Sequence, residues 1–228
     1  MQINKHLTKI NFENVNNTNR IKYIVIHYVG ATGDALANCK YFYSTYRGAS
    51  AHYFVGHNGD VWQCVADGNI AWHCGARAYR HNDCRNSNSI GIELCCKKDK
   101  NGNWYFEEAT VKAAIELTKE LMKKYNIPAE RVLRHYDVTG KVCPEPYVRN
   151  NAEWLAFKSA LAETANTSSF GIKINCTALN IRAGVGIGYK ITGVIRDRKT
   201  YTIVEVKNGW GKLKSGLGWI NLRYTERV

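Results

Sequence analysis

The chain has 228 residues, 45% of them apolar, which is enough for one or two domains with a packed core. Lysine and arginine outnumber aspartate and glutamate by 32 to 19, giving a formal net charge of +13. No run reaches the roughly 18 apolar residues of a membrane helix, and the polar N-terminus lacks a signal-peptide core, so membrane insertion and signal-peptide export are not expected.

Strands and helices are predicted to alternate over the first 165 residues, which is typical of an α/β domain. The apolar run IKYIVIHYV at 21–29 predicts a buried central strand. An Asn-Gly turn between two β-prone runs predicts a hairpin. The predicted elements are strand 21–29, helix 34–46, strands 51–55, 61–65 and 89–95, and helices 107–125 and 151–165. We expect a central mixed sheet flanked by helices.

The pattern changes after a small polar segment, TANTSSF, at 164–170. Short apolar runs separated by Gly, Asn, Asp or Lys follow, with no helix-length period, and they predict a small all-β barrel. The predicted strands are 179–182, 190–195, 200–207, 209–214 and 218–222. The expected organisation is therefore a first domain at 1–163, a linker at 164–170 and a second domain at 171–228.

The positive charge is concentrated in the second domain. Residues 164–228 hold 11 basic and 3 acidic residues, or +8, whereas residues 1–163 hold 21 and 16, or +5. Such a charge suggests an anionic polymer or surface as partner, and nucleic acid, a membrane and the teichoic-acid-bearing bacterial wall all fit. No nucleic-acid-binding motif is recognisable, so nucleic acid is not the expected partner.

Eight cysteines occur at spacings that form no compact disulfide framework and no paired zinc-knuckle motif. Many free thiols predict synthesis and storage in a reducing cytoplasm. One of these thiols is a candidate metal ligand.

Three residues are candidates for a metal site. His27 lies in the C-terminal half of the first strong strand, and His135 and Cys143 lie eight residues apart in HYDVTGKVC, which we interpret as a loop that folds back. Two imidazoles, one thiolate and a water make a catalytic zinc site. The alternatives are a hydrogen-bonded core histidine and a small buried cysteine.

Five segments occur in the order found in the type 2 N-acetylmuramoyl-L-alanine amidases: IVIHYVGAT, SAHYFVGHNGDVWQ, AWHCG, NSIGIEL and RHYDVTGKVCPEP. The chain resembles this family over roughly residues 20–160, including the phage lysozyme-type amidases and the peptidoglycan recognition proteins. The resemblance implies hydrolysis of the amide between N-acetylmuramic acid and L-alanine. It also implies Zn²⁺ as cofactor, with His27, His135 and Cys143 as its ligands.

Two catalytic residues are implied in the same way. Glu93 is the only carboxylate in SIGIELC, and strand alternation places it on one face with Gly91 and Cys95. The family match favours Glu93 as general acid and base over a solvent-facing glutamate. Lys141, two residues before Cys143, matches a lysine that stabilises the oxyanion, although a mobile surface lysine is the commoner case.

The chain departs from the phage lysozyme-type pattern at one position. A tyrosine expected there is Ala51, and Tyr53 and His52 are the candidates to compensate. On a continuous strand Tyr53 shares the face of Ala51.

Other positions near the candidate site have open roles. Tyr28 and His73 are predicted to line the substrate groove, with packing as the alternative. Asp137 either orients a metal ligand or forms the turn.

The second domain resembles a bacterial Src-homology-3-like domain in LNIRAGVGIGYKITGVI, VEVKNGWGKLKSG and GWINLRYTERV. Such domains hold wall hydrolases on peptidoglycan. Tyr189, Trp210, Trp219 and Tyr224 are the candidate ligand-facing aromatics, and core filling is the alternative for both tryptophans.

Together these features suggest a phage or prophage endolysin that waits in the cytoplasm until a holin opens the membrane, then lyses the cell by cutting peptidoglycan. The competing hypotheses are a host autolysin released by another route and a recognition protein that binds peptidoglycan without cutting it.

Overall fold

The computed structural model describes residues 1–162, 169–207 and 209–228. Within it the chain forms two compact units, Met1–Ala162 and Glu163–Val228. Most of the predicted linker, 164–168, lies outside the described residues, and Phe170, which the sequence placed in the linker, begins a strand. The predicted domain ranges otherwise stay a prediction.

The first unit alternates short strands with helices. Its strands are β1 Asn4–Lys5, β2 Phe12–Glu13, β3 Tyr23–Tyr28, β4 Tyr53–Val55, β5 Val61–Gln63, β6 Ile70–Ala71, β7 Ser89–Leu94, β8 Lys97–Lys98, β9 Trp104–Tyr105 and β10 Val132–Arg134. Its α-helices are α1 Ala35–Tyr43, α2 Glu108–Tyr125, α3 His135–Thr139, α4 Glu145–Arg149 and α5 Asn151–Ala162. No helix in the described part of the chain is both long and apolar enough to cross a bilayer.

Six of these strands form the central sheet, in the order β1-β5-β4-β7-β3-β10. The neighbours β4, β7, β3 and β10 run parallel, whereas β4 and β5 form an antiparallel hairpin around the Asn-Gly turn. Gly59 has a φ of 84° in that turn, a conformation that favours glycine. The prediction of an α/β unit with a mixed sheet and flanking helices is confirmed.

The two faces of the sheet have different roles. Ile24 and Ile26 of β3 and Ile92 of β7 pack with Leu117 of α2 and Phe157 of α5 in the main hydrophobic core. Because strand side chains alternate, the residues between these isoleucines project to the opposite face. His27, Gly91 and Glu93 therefore leave the core side, which places the chemical groups of both central strands on one face.

The segment 135–143 differs from its prediction as a loop. Its first five residues form helix α3, which Asp137 closes at the start by accepting a hydrogen bond from the backbone N–H of Arg134 at 2.8 Å. Gly140 ends the helix with a φ of 87°. A polar residue in the first turn and a left-handed glycine after the last turn are signals of helix boundaries. The helix was not predicted because five residues are too few to show a helical period.

The described residues of the second unit form seven strands, β11 Phe170–Ile174, β12 Leu179–Arg182, β13 Ile191–Ile195, β14 Tyr201–Lys207, β15 Trp210–Leu213, β16 Trp219–Asn221 and β17 Thr225–Arg227. They form an antiparallel sheet in the order β13-β12-β16-β15-β14-β11-β17. Its core is made mainly of isoleucines, including Ile181, Ile203 and Ile220. The all-β character agrees with the prediction, and closure of the sheet into a barrel stays a prediction.

Candidate metal centre and active site

Strand register brings three candidate residues side by side. In the parallel pair β10/β3, Arg134 lies opposite Ile26, so His135 follows beside His27. In the neighbouring pair β3/β7, His27 lies opposite Glu93. The ring centroids of His27 and His135 are 4.7 Å apart, and His27 Nδ1 lies 3.9 Å from Glu93 Oε1. The C-terminal ends of three adjacent parallel strands thus build one cluster.

Cys143 reaches this cluster because the chain turns back after helix α3. The left-handed Gly140 reverses its direction, and the backbone N–H of Tyr136 donates to the carbonyl of Cys143 at 2.8 Å. The Sγ atom of Cys143 then lies 3.7 Å from His27 Nδ1. One ligand atom from each of His27, His135 and Cys143 lies within 4.8 Å of the other two.

These three side chains fit a divalent cation. All three are buried, and the buried Nδ1 of His135 has no hydrogen-bond partner among the described residues. A buried polar nitrogen without a partner is costly unless something binds it. Two imidazoles and one sulfur are also the donor set that a tetrahedral site with one open position uses. The triad predicted from sequence therefore converges into a site able to hold a metal ion.

The ionisation of the triad agrees with this use. Burial lowers the pKa of His27 well below its usual value, and burial together with nearby Lys141 lowers the pKa of His135 to about 4. Both imidazoles are therefore neutral near pH 7, as ligands must be. Burial raises the pKa of the Cys143 thiol, which favours its protonated form. A bound cation would reverse this preference, because it stabilises the thiolate.

Glu93 is a carboxylate set beside the triad in a mostly dry position. Its side chain is 19% exposed, and its buried Oε2 has no partner in the part of the chain that the structure describes. Burial raises the pKa of Glu93 to about 8, although Lys141 acts in the opposite direction. A carboxyl group whose pKa lies near neutrality can both accept and donate a proton at pH 7.

Lys141 is exposed and lies at the opening of the site. It lines two cavities, of about 340 Å³ and about 640 Å³. Both are also lined by Ala49, Trp72, His73 and His135, so they form one groove that passes over the triad. A cationic side chain here can interact with negative charge that develops on a substrate.

Tyr28 and His73, predicted to line the groove, both do so. The hydroxyl of Tyr28 donates to Glu145 at 3.2 Å, and burial raises the pKa of Tyr28 to about 12. His73 contacts His27 directly, with 3.0 Å between His73 Nδ1 and His27 Nε2. Trp72, which was not among the predicted site residues, also lines both cavities beside His73.

Tyr53 does not reach the site. Strand β4 begins at Tyr53, so Ala51 lies before it, and the two residues pack in different clusters. The ring of Tyr53 lies on the core face of the sheet, where its hydroxyl donates to Asp67 at 2.6 Å. The expectation that Tyr53 shares the face of Ala51 is wrong, because it assumed a strand that continues through residues 51 and 52.

His52 is fully buried and bonded to the backbone. Its Nδ1 accepts from the N–H of Gly91 at 3.0 Å, and its Nε2 lies 3.2 Å from the carbonyl of Asn69. Burial lowers the pKa of His52 to about 3, so it stays neutral. Neither Tyr53 nor His52 lines the groove. Asp137 binds Arg134 and caps helix α3, and among the described residues no hydrogen bond or ion pair joins it to His27, His135 or Cys143.

The four aromatics predicted in the second unit lie in different settings. Trp210 is buried, and it lines a cavity of about 300 Å³ together with Tyr224 and Arg182. Tyr189 is exposed, and Trp219 is half-buried with the Lys212 ammonium 5.7 Å from its ring centroid. The structure thus brings two of the four together at one cavity.

Comparison with known proteins gives an independent result. A family model described as N-acetylmuramoyl-L-alanine amidase matches residues 17–146, which is more than half of the chain and includes every residue of the triad.

Individual proteins agree with the family match. A probable N-acetylmuramoyl-L-alanine amidase of Bacillus licheniformis is 35% identical over 168 residues, covering 65% of this chain and 45% of the relative. The solved structure of PlyL is 26% identical with a TM-score of 0.59, covering 71% of this chain and 97% of PlyL. A mutant endolysin from Bacillus subtilis is 27% identical with a TM-score of 0.56, covering 71% and 99%. The match spans less than half the length of the curated relative.

Proposed function

Because the chain belongs to the N-acetylmuramoyl-L-alanine amidase family, we propose that it hydrolyses the amide between N-acetylmuramic acid and L-alanine in bacterial peptidoglycan. The observation that carries the proposal is the convergence of His27, His135 and Cys143 beside Glu93, beneath one groove. The Bacillus licheniformis relative carries the same activity in its name.

The three convergent side chains would hold a zinc ion. When bound, zinc lowers the pKa of a coordinated water to about 7 and polarises the amide carbonyl. Cys143 would bind the ion as a thiolate, which would offset part of the charge of the ion. The two neutral imidazoles of His27 and His135 would complete the set of protein ligands.

Glu93 acts first as the general base and then as the general acid of the reaction. Its carboxylate accepts a proton from the water that attacks the lactyl carbonyl carbon. The C–N bond then breaks, and Glu93 returns the proton to the amine of L-alanine, so atoms and charge balance. The raised pKa suits both transfers, and Lys141, at the opening of the groove, stabilises the negative charge on the carbonyl oxygen.

The second unit would hold the enzyme on the wall. Its balance of 11 basic and 3 acidic residues favours an anionic polymer. The cavity at Trp210 and Tyr224 supplies aromatic surface for a wall ligand, and Tyr189 and Trp219 are the other candidate contacts. A bacterial Src-homology-3-like domain closed as a barrel would fit this role, because tethering raises the local concentration of enzyme at its substrate.

Likeness to an endolysin of Bacillus subtilis supports a role in cell lysis. We place the protein in the cytoplasm until a holin lets it reach the wall, with bacteriophage or prophage as its origin. A recognition protein that binds the wall without cutting it is the weaker candidate. The complete triad and the neighbouring Glu93 favour catalysis.

The proposal is tested by digesting purified peptidoglycan and analysing the products by mass spectrometry. The wild-type protein should produce new lactyl carboxyl ends and free L-alanine amines, and should contain one zinc per chain. Cys143→Ala should lose hydrolysis and bound zinc, because removing the thiolate leaves an incomplete ligand set. Cys176→Ala, which changes a cysteine of the other unit, is the matched control for metal binding and should keep its zinc. Absence of these new ends with wild-type protein, or full activity in Cys143→Ala, contradicts the proposal.

A further inference from the structure

The two ring nitrogens of His27 face different partners. Nδ1 lies 3.7 Å from the Sγ atom of Cys143, on the side of the candidate metal site. Nε2 lies 3.0 Å from His73 Nδ1. The His27 and His73 rings stand almost perpendicular, at 88°, with centroids 5.1 Å apart. A neutral imidazole carries one N–H, and only its other nitrogen can bind a metal ion. The partner of Nε2 therefore decides whether Nδ1 is available.

A chain of hydrogen bonds runs from His73 to a backbone carbonyl. The hydroxyl of Ser89 lies 2.6 Å from the carbonyl oxygen of Arg85, and it must donate there because a carbonyl only accepts. A hydroxyl has a single proton, so Ser89 Oγ accepts from His73 Nε2 at 3.1 Å. The one N–H of a neutral His73 is then on Nε2, and its Nδ1 accepts from His27.

The backbone of His73 and its ring are each in contact with a neighbouring residue. The backbone N–H groups of His73 and Cys74 donate to Asn86 Oδ1 at 3.1 and 2.8 Å. On the other side the ring lies against Gly91, where an added Cβ would come within 2.5 Å of His73 Cγ. Gly91 is itself fixed by the bond from its N–H to His52. A side chain larger than hydrogen at residue 91 would therefore displace the His73 ring.

We propose that His73, oriented by Ser89, is a positioning residue that keeps His27 protonated on Nε2 and so reserves His27 Nδ1 for the metal ion. The assignment rests on the proposed metal site and adds to it. His73 then acts on the metal centre through His27, in addition to lining the groove. Partners of this kind fix the tautomer and ring direction of a ligating histidine, and their loss commonly costs about 10- to 100-fold in metal affinity.

Four variants separate this role from simple packing. His73→Phe keeps a ring but removes the acceptor, and His73→Asn restores an acceptor near the position of Nδ1. Ser89→Ala removes the group that orients His73 while changing little volume. Ser87→Ala is the matched control, because Ser87 is an exposed serine of the same segment.

The first measurement uses metal-free protein and ¹⁵N–¹H NMR of the histidine rings. Wild type and Ser87→Ala should show His27 protonated on Nε2. Ser89→Ala and His73→Phe should show a mixture of tautomers or the Nδ1–H form. A purely packing role for His73 would lower the melting temperature without changing the His27 tautomer.

The second measurement is zinc affinity, by competition with a chromogenic chelator. His73→Phe should bind zinc about 10- to 100-fold more weakly, with a smaller loss in Ser89→Ala and partial recovery in His73→Asn. An Nδ1–H tautomer in wild type, or unchanged affinity in both His73→Phe and Ser89→Ala, overturns the assignment. If His73→Phe does not fold, Ser89→Ala and His73→Asn decide. Wild-type protein that binds no zinc would instead refute the proposed function, and the tautomer measurement would still stand.

Discussion

At the scale of single residues, Glu93 is defined by what surrounds it. The sequence offered one carboxylate in an apolar strand, and its alternation with Ile92 and Leu94 is observed, because both of those residues lie in the main core. The alternation could not predict how little the Glu93 side chain is exposed to solvent, because that depends on segments that are distant in the sequence. This burial raises the pKa of Glu93 to about 8.

Glu93→Gln should lower peptidoglycan hydrolysis by about 100-fold or more while zinc content stays unchanged, because a general base is lost and no ligand is. A carboxyl group ionises as pH rises through its pKa, so the raised value predicts that wild-type activity increases with pH from mildly acidic conditions towards pH 8. The measurement is a pH profile of amide cleavage with zinc content determined in parallel. Glu108→Gln, an exposed carboxylate of α2, is the control, and normal turnover in Glu93→Gln refutes the assigned role.

Two of the residues predicted near the substrate show where reasoning from single residues failed. Tyr53 and His52 were considered as replacements for the tyrosine absent at Ala51. The strand begins two residues later than expected, so residues 51 and 52 lie outside it, and Tyr53 packs on the core face while Ala51 packs in another cluster. His52 is buried and accepts a hydrogen bond from the backbone N–H of Gly91. Side chains alternate regularly only within a continuous strand, so the alternation could not relate Tyr53 to Ala51 across residues that are not in the strand.

At the scale of elements, Asp67 joins the hairpin to helix α2. It accepts hydrogen bonds from Tyr53 and Gln63 on the strands and from Lys124 and Tyr125 at the end of the helix. Burial alone would raise the pKa of Asp67, but the bonds from Tyr125, Tyr53 and Lys124 outweigh burial and leave that pKa below its ordinary value of 3.8. The ionised form is therefore the one that stabilises the fold.

Asp67→Asn should lower the free energy of unfolding by about 2 kcal/mol at pH 7, because several donors lose a charged acceptor. The pKa is lower in the folded than in the unfolded chain, so this stabilisation is complete above about pH 4 and is lost as pH falls through the folded value. Denaturant unfolding of both proteins from pH 7 to pH 3 measures the difference. The difference in unfolding free energy between wild type and Asp67→Asn should become smaller in acid. Glu116→Gln, which changes an exposed carboxylate of α2, should show no difference from wild type at any pH. A difference that is constant with pH contradicts the assignment.

At the scale of the whole molecule, chemistry and charge lie in different units. The triad, Glu93 and the groove belong to Met1–Ala162, and the strongest positive charge belongs to Glu163–Val228. Compact units with separate cores can divide catalysis from attachment. Net charge alone did not distinguish the possible anionic partners, because the positive charge of the second unit would attract any of them.

Removing residues 163–228 should weaken sedimentation of the protein with purified walls while leaving measurable hydrolysis, because the complete triad stays in the first unit. The loss should be larger at low salt, since screening weakens charge-based attachment. Wall binding at two salt concentrations and product analysis by mass spectrometry provide the measurement. Equal wall binding by the shortened and full-length proteins would disprove attachment through the second unit.

The sequence by itself determined the types of the main elements and the ligand types. The apolar runs, the Asn-Gly turn and the period of α2 are local patterns, and the observed boundaries mostly agree with them within a few residues. Short elements such as β10 and α3 were missed, because three to five residues carry too little pattern.

Only the tertiary structure decided that His27, Glu93 and His135 stand side by side, because the register of β10, β3 and β7 depends on hydrogen bonds between residues far apart in the chain. It alone also placed His73 and Ser89 behind His27. Local periodicity carries no information about which strands become neighbours.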